Sequence, residues 1–348
     1  MKKILASGMA LLAAGLLAAS LVACANHSSS SNTGSSGGSG GGSSSGTSSS
    51  SEIGEKIMKT GSEVCDLLKE LGADDDTVMK SFCSSATPPA TGVTTKKLSR
   101  NSSPVDVLAW LDGTTIKYYA AGYTDSGRKI PLMVSGVAFV NTETAEMFRG
   151  CKALSSIDVS GFDTSEATCL ASMFQNCTGL TSLDLSSWNV SKVDTLAMMF
   201  AGCTRLSSVN LNGWDTGMVH NTISMFHGCS SLTSLNLSGW NTSRFESMDY
   251  MFDGCSSLTS LNLSGWNTSR FESMVYMFSR CTSLTTIYAS AGFNTTNVDG
   301  AWGYDMFYGC TSLVGGAGTT YSGSHTDKEY ARIDGGPSST TPGYFTAM

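Results

Sequence analysis

Along the second half of the chain, hydrophobic and polar positions alternate between two rhythms. In stretches such as "SLTSLNL", leucines two apart stand among Ser and Thr, as at Leu235 and Leu237. This is the spacing of a short strand with one face turned inward. A few residues later Phe245, Met248, Met251 and Phe252 recur at i, i+3, i+6 and i+7, which predicts one face of a helix. Ser243, three residues before Glu246, predicts a capping box at that helix start, and Gly254 predicts its stop. Each unit therefore reads as strand, turn and short helix.

The unit recurs. Met-Phe pairs begin at 147, 173, 199, 225, 251 and 277, always 26 residues apart, and once more at 306 after a step of 29. The string "GCSSLTSLNLSGWNTSRFESM" fills 228–248 and returns unchanged at 254–274. Neither apolar face of one unit can be buried until neighbours stack on it, so the pattern predicts an array over 141–314. With strands ~4.8 Å apart, six or seven layers make a stack roughly 30 Å long. Phe162, Trp188, Trp214, Trp240, Trp266 and Phe293 then form an inward file. The outward strand positions are Ser156, Ser182, Ser208, Ser234, Ser260 and Thr286, beside Asp158, Asp184, Asn210, Asn236, Asn262 and Tyr288. That small, polar, hydrogen-bonding surface is the candidate ligand-binding face.

Upstream the pattern changes several times. Ile53, Ile57, Val64, Leu67, Leu68, Leu71, Val78, Met79 and Phe82 fall near helical spacing, which predicts a small helical segment over 52–83, two helices broken at "GADDD". Cys65 and Cys83 either bridge that hairpin or stay as two free thiols. A polar linker follows over 84–104, then a β segment over 105–140 in which Asp112-Gly113 suits a hairpin turn. A stack needs an end piece over its first apolar face, so that segment reads as an N-terminal cap, and 315–348 as the C-terminal cap or tail.

Residues 1–23 carry Lys2, Lys3 and an apolar run ending in Leu21-Val22-Ala23, just before Cys24. The order is that of an export signal, with an uncleaved membrane anchor as the plainer alternative. Small residues before a cysteine resemble the bacterial lipobox, which implies a lipidated Cys24 at the start of the mature chain. Acyl chains add ~0.8 kcal/mol per buried methylene, enough in combination to hold a soluble domain at a membrane. From 24 to 51 the chain is almost wholly Ser, Gly, Thr and Asn, too polar to offset the entropy of ordering, and reads as a disordered tether. Net charge is −7, and −9 once Lys2 and Lys3 leave with a leader, which argues against nucleic acid and anionic lipid as partners.

L-x-x-L-x-L followed by a turn and a predicted helix resembles the leucine-rich-repeat pattern. The 26-residue form "GW(N/D)TSxxxxMxxMFxGCxSLTSL" resembles the BspA-like leucine-rich-repeat surface proteins of bacteria, over about 140–314. The tail segments "YARIDGG" and "PGYFT" are similar to endings in that family. Gly217, Ala167 and the insertions around 288–305 depart from the pattern. The resemblance implies an α/β solenoid, a right-handed stack of strand-turn-short helix units. It also implies a surface-exposed, lipid-anchored protein of the cell envelope that binds a protein or glycan on host or neighbouring cells. A structural coat or variable antigen is the alternative, and an envelope hydrolase or solute receptor with its site in 52–140 is a third reading.

Candidate chemistry changes little. Cysteines at 151, 177, 203, 229, 255, 281 and 310 lack C-x-x-C pairing and read as a buried thiol column rather than as zinc ligands or disulfides. Asp158 and Asp184 stacked one layer apart would suit calcium, but Asn in the next three layers favours a hydrogen-bonded column. Asp163, Asn189, Asp215, Asn241 and Asn267 are placed to fix a turn. His220 and His227 read as surface substitutions, and serine is too generic here to argue a catalytic triad. The expectation is a binding protein without cofactor or catalysis.

Overall fold

The computed structural model describes residues 61–99, 106–120, 124, 126, 130, 131 and 146–348. Cys24, the leader, the tether and residues 52–60 lie outside the described residues. Strands and tight turns dominate what is described, with one α-helix, α1 (Gly61–Glu70), and no closed barrel. α1 buries Val64 and Leu68 along one face and ends at Gly72, whose φ of +80° suits a residue without Cβ.

The second helix expected before residue 83 is a strand. β1 (Lys80–Ser84) alternates buried Lys80 and Phe82 with half-buried Ser81 and Cys83, while Val78 and Met79 stay exposed. Three apolar residues in so short a run fit either period, and the neighbours decide it. Those neighbours are β4 (Thr115–Ala120) and β6 (Leu154–Ile157), both parallel to β1. Lys80 is buried, and its Nζ donates to the carbonyls of Asp75 at 3.3 Å and Val78 at 3.1 Å.

Within 105–140, β3 (Val107–Asp112) and β4 form a hairpin, and most of 121–140 lies outside the described residues. The hairpin's two-residue loop is Gly113-Thr114 rather than Asp112-Gly113, with Gly113 at φ +59°. The expected linker also contributes a strand, since β2 (Lys96–Lys97) pairs antiparallel with β3. The sheet order β2-β3-β4-β1-β6 makes the cap continuous with the first strand of the array.

Beyond β6 the layers stack in parallel at the spacing of the repeat. β8 (Ser182–Asp184) pairs with β9 (Ser208–Asn210), and β10 (Ser260–Asn262) with β11 (Thr286–Ala289), each residue opposite its counterpart 26 positions on. The remaining two-stranded pair joins β5 (Ile130–Pro131) to β7 (Phe162–Asp163). A second line of parallel bridges runs through Cys169, Thr195, Asn221, Ser247 and Ser273.

The helical half of each unit does not form among the described residues. Alternate amides leave the layer, while those between them close turns to the carbonyl three residues back. Phe148, Phe174, Phe200, Phe226, Phe252 and Phe278 each donate N–H to the Met carbonyl of the next layer at 2.9 Å. Positive φ of +55° to +57° at Ser172, Met198, Ser224, Tyr250 and Tyr276, just before each Met, breaks any helix there. The capping box fails for a related reason. Ser243 N–H donates to Asn241 Oδ1 at 3.1 Å, so it closes an Asx turn led by the residue after the tryptophan. Asp163, Asn189, Asp215 and Asn267 do the same at 2.9–3.0 Å, as their placement predicts. Thr164, Thr216 and Thr242 then tie layers together, since each hydroxyl donates to the next layer's Asn carbonyl and accepts that residue's N–H.

Three side-chain files fill the interior. Seven phenylalanines from Phe148 to Phe307 stack with centroids 5.4–5.9 Å apart and planes within 13°. The tryptophans 188, 214, 240 and 266 are buried, and Trp188, Trp214 and Trp266 donate their indole N–H to carbonyls of the preceding layer at 3.0–3.3 Å. The cysteine column is buried too, but it does more than fill space. From Cys177 to Cys310 each thiol donates to a Phe carbonyl of the layer before at 2.9–3.2 Å. At the far end β12 (Phe345–Ala347) adds in parallel to β11. Asp334 organises the tail, accepting from the N–H groups of Ala317, Thr319 and Gly336 at 2.8–2.9 Å and from Thr319 Oγ1 at 2.6 Å.

Candidate binding face

The outward positions emerge where alternation puts them. Ser182, Ser208, Ser234 and Ser260 are exposed, as are Asp158, Asp184 and Asn236, while Asn210, Asn262 and Tyr288 are half-buried. Parallel register sets Ser182 opposite Ser208 and Asp184 opposite Asn210, so like residues form columns across layers.

A depression of about 570 Å³ opens on this face. Asp158, Ser182, Asp184, Ser208, Asn210, Ser234 and Asn236 line it, and Ser81, Phe82 and Cys83 of β1 supply its end wall. Ser260, Asn262 and Tyr288 lie farther along and outside the depression. Tyr288 faces β12 in register with Thr346, which adds a strand at that end. The contribution of β1 was missed from sequence, although the alternation Lys80, Phe82 against Ser81, Cys83 carries its signal.

The polar side chains here are partly committed to their own turns. Asp158, Asp184, Asn210, Asn236 and Asn262 each accept the N–H two residues on at 2.9–3.2 Å. Asp184 Oδ1 also accepts from Ser186 Oγ at 2.7 Å and from Asn210 Nδ2 at 3.1 Å. The two Ser186 bonds do most to hold the Asp184 carboxyl below the usual range, so it stays charged at neutral pH. Asn236 Nδ2 donates to Asn212 Oδ1 at 3.2 Å. What remains for a ligand is a shallow floor of hydroxyls, amide groups and the remaining carboxylate oxygens. It can hydrogen bond an extended polar chain, but it does not enclose a small apolar molecule. Among the described residues no group of three His, Cys, Asp or Glu side chains is placed to hold a metal ion.

The histidines are more embedded than expected. His220 Nδ1 lies 2.6 Å from Asp194 Oδ1. His227 Nδ1 lies 3.1 Å from Asp253, whose carboxylate also takes Arg280 Nε at 2.9 Å. Asp253 is buried, which by itself would raise its pKa, yet His227 and Arg280 hold it below the ordinary value. A second cavity, about 820 Å³, lies on the turn side between Glu246, Asp249, Arg270, Glu272, Asn297, Asp299 and the exposed Trp302. Burial pushes the Asp249 carboxyl up in that wall.

Two stretches, 142–260 and 207–320, match the family described as Mycoplasma protein of unknown function, DUF285, and together run over just more than half of the chain. The chain belongs to this family. The DUF285 region takes in β6 to β11, hence most of the candidate face, and leaves α1 and β1 outside. No curated protein and no solved structure matches the chain. No described helix is long and apolar enough to cross a membrane.

Proposed function

We propose that this DUF285 protein is a cell-envelope repeat protein, anchored by a lipid on Cys24, that binds a protein or glycan through its strand face. The array acts as a right-handed leucine-rich-repeat-like solenoid of the BspA-like kind, with turns in place of the helices, and no catalysis or cofactor is needed. The observation that carries this reading is the depression whose walls repeat the same residue types, Ser and Asp or Asn, in four successive layers from Asp158 to Asn236. A repeated polar floor offers many equivalent weak contacts, and their sum raises affinity without a deep pocket. The parallel register supports it, because columns of like groups suit a ligand with a repeating backbone.

The test is capture from envelope and host-cell extracts, and from glycan and matrix-protein arrays, by the intact chain and by a variant with Asn210, Asn236 and Asn262 changed to Lys. A partner held by the first and lost by the second is expected. A partner held equally by both would remove the strand face from the account. The verbatim pair at 228–248 and 254–274 favours a second reading, a coat or variable antigen that gains and loses layers, and capture of nothing by either form would favour it.

A further inference from the structure

Inside the array each column thiol has a Phe carbonyl from the preceding layer. Cys151 opens that column, and α1 stands where a preceding layer would. Cys65, on α1, donates its thiol to Arg149 O at 3.0 Å, two residues from Cys151, and the two thiols lie close enough to shift each other's ionisation. Both are buried, yet Cys65 also lines a cavity of about 630 Å³ with Lys69, Arg149 and Lys152 at its walls. Cys83, the partner weighed from sequence, sits in the wall of the strand-face depression instead.

We propose that Cys65 and Cys151 form a reversible disulfide, made by exchange with a small-molecule or protein disulfide, that fastens α1 to the first layer of the array. The Cys65 thiolate attacks one sulfur of the reagent, its S–S bond breaks, and the first reagent thiolate leaves. Cys151, deprotonated as it reacts, attacks the Cys65 sulfur of the mixed disulfide and expels the second. Two protein thiols are oxidised, the reagent disulfide is reduced to two thiols, and the two protons end on those thiols.

The surroundings assign the order of attack. The nearby Cys151 thiol pulls the Cys65 thiol below its ordinary range, burial opposes this, and the Lys69 ammonium assists. The same interaction and burial push Cys151 up, so Cys65 is the attacking sulfur and Cys151 the resolving one. Thiols deeper in the column donate to carbonyls and have burial alone as their main influence, which raises them.

The intact chain, fully reduced and then incubated with oxidised glutathione, is digested without reduction and mapped by mass spectrometry. A peptide joining Cys65 to Cys151 is expected, with two thiols lost per chain. Cys83→Ser should form the same link, and Cys151→Ser should stop at a glutathione adduct on Cys65. Should Cys151→Ser fail to fold, the wild-type and Cys83→Ser maps decide the matter. A Cys65–Cys83 link, a link within the column, a stable glutathione adduct on Cys65 in the wild type, or an unmodified Cys65 would each overturn the proposal.

Discussion

Residues 228–248 and 254–274 share every side chain and still differ in structure. In the second copy Ser260–Asn262 forms strand β10 against β11, whereas 234–236 of the first copy forms no strand. Asn236 is exposed and reaches back to Asn212, while Asn262 is half-buried. Trp266 donates its indole N–H to Leu237 O at 3.3 Å, but Trp240 Nε1 is buried without a partner. Identical local preference thus yields different hydrogen bonding, because each layer takes its partners from the layers on either side. Copy one sits on the layer of Val209, Asn210 and Gly213, and copy two sits on copy one.

The largest effect that probes this difference is truncation of either indole. Trp266→Ala and Trp240→Ala should each cost about 3–5 kcal/mol in chemical denaturation, since both empty a file packed on two sides. Equal tolerance of both changes would mean that the file is not a shared interior. Replacement by Phe separates the copies more finely. Trp266→Phe removes the indole N–H from Leu237 O, which still accepts the Trp240 backbone N–H, and should cost about 0.5–1.5 kcal/mol more than the volume change alone, an excess that Trp240→Phe should lack.

Acid should weaken the tail. The Asp334 carboxyl is buried, which works against its ionisation, but the bonds from Thr319, Gly336 and Gly343 hold it down to about 2. A depressed carboxylate contributes stability that is fully present above its unfolded value of ~3.9 and fades as pH falls toward 2. Asp334→Ala should therefore destabilise the C-terminal end by about 1–3 kcal/mol at pH 7 and by progressively less below pH 4, read from hydrogen exchange in β12. A loss that stayed constant with pH would assign Asp334 no ionised role. The smallest effect belongs to the surface. Asn236→Lys should change stability by less than about 0.5 kcal/mol, and Asn262→Lys in the identical string by more, because its side chain is half-buried.

Much of the array is legible in the sequence because a fixed 26-residue step reports on stacking itself. The Trp, Cys and Met-Phe landmarks locate the interior whatever the backbone between them does. Turns replace the predicted helix although nothing in the spacing of Phe245, Met248, Met251 and Phe252 excludes it, since that spacing satisfies a helical stripe and a stacked turn equally well. What separates the two is where the amides go, and Phe252 N–H reaches the next layer's Met277 O at 2.9 Å. The strand β1 replaces the predicted helix because Val78, Met79 and Phe82 form a run too short to fix a period. The thiol column is legible from the 26-residue step, but its hydrogen bonds are not, since composition marks cysteine as a filler and is silent on a carbonyl one layer away.

The central claim, that the layers enclose one dry interior, is tested most directly by acrylamide quenching of tryptophan fluorescence. The chain has six tryptophans; 110, 188, 214, 240 and 266 are at most 6% exposed, and Trp302 is 55% exposed. The account predicts a quenchable fraction that disappears in Trp302→Phe and leaves a shielded, short-wavelength emission. Quenching of the Trp302→Phe protein as complete as that of the unfolded chain would contradict it.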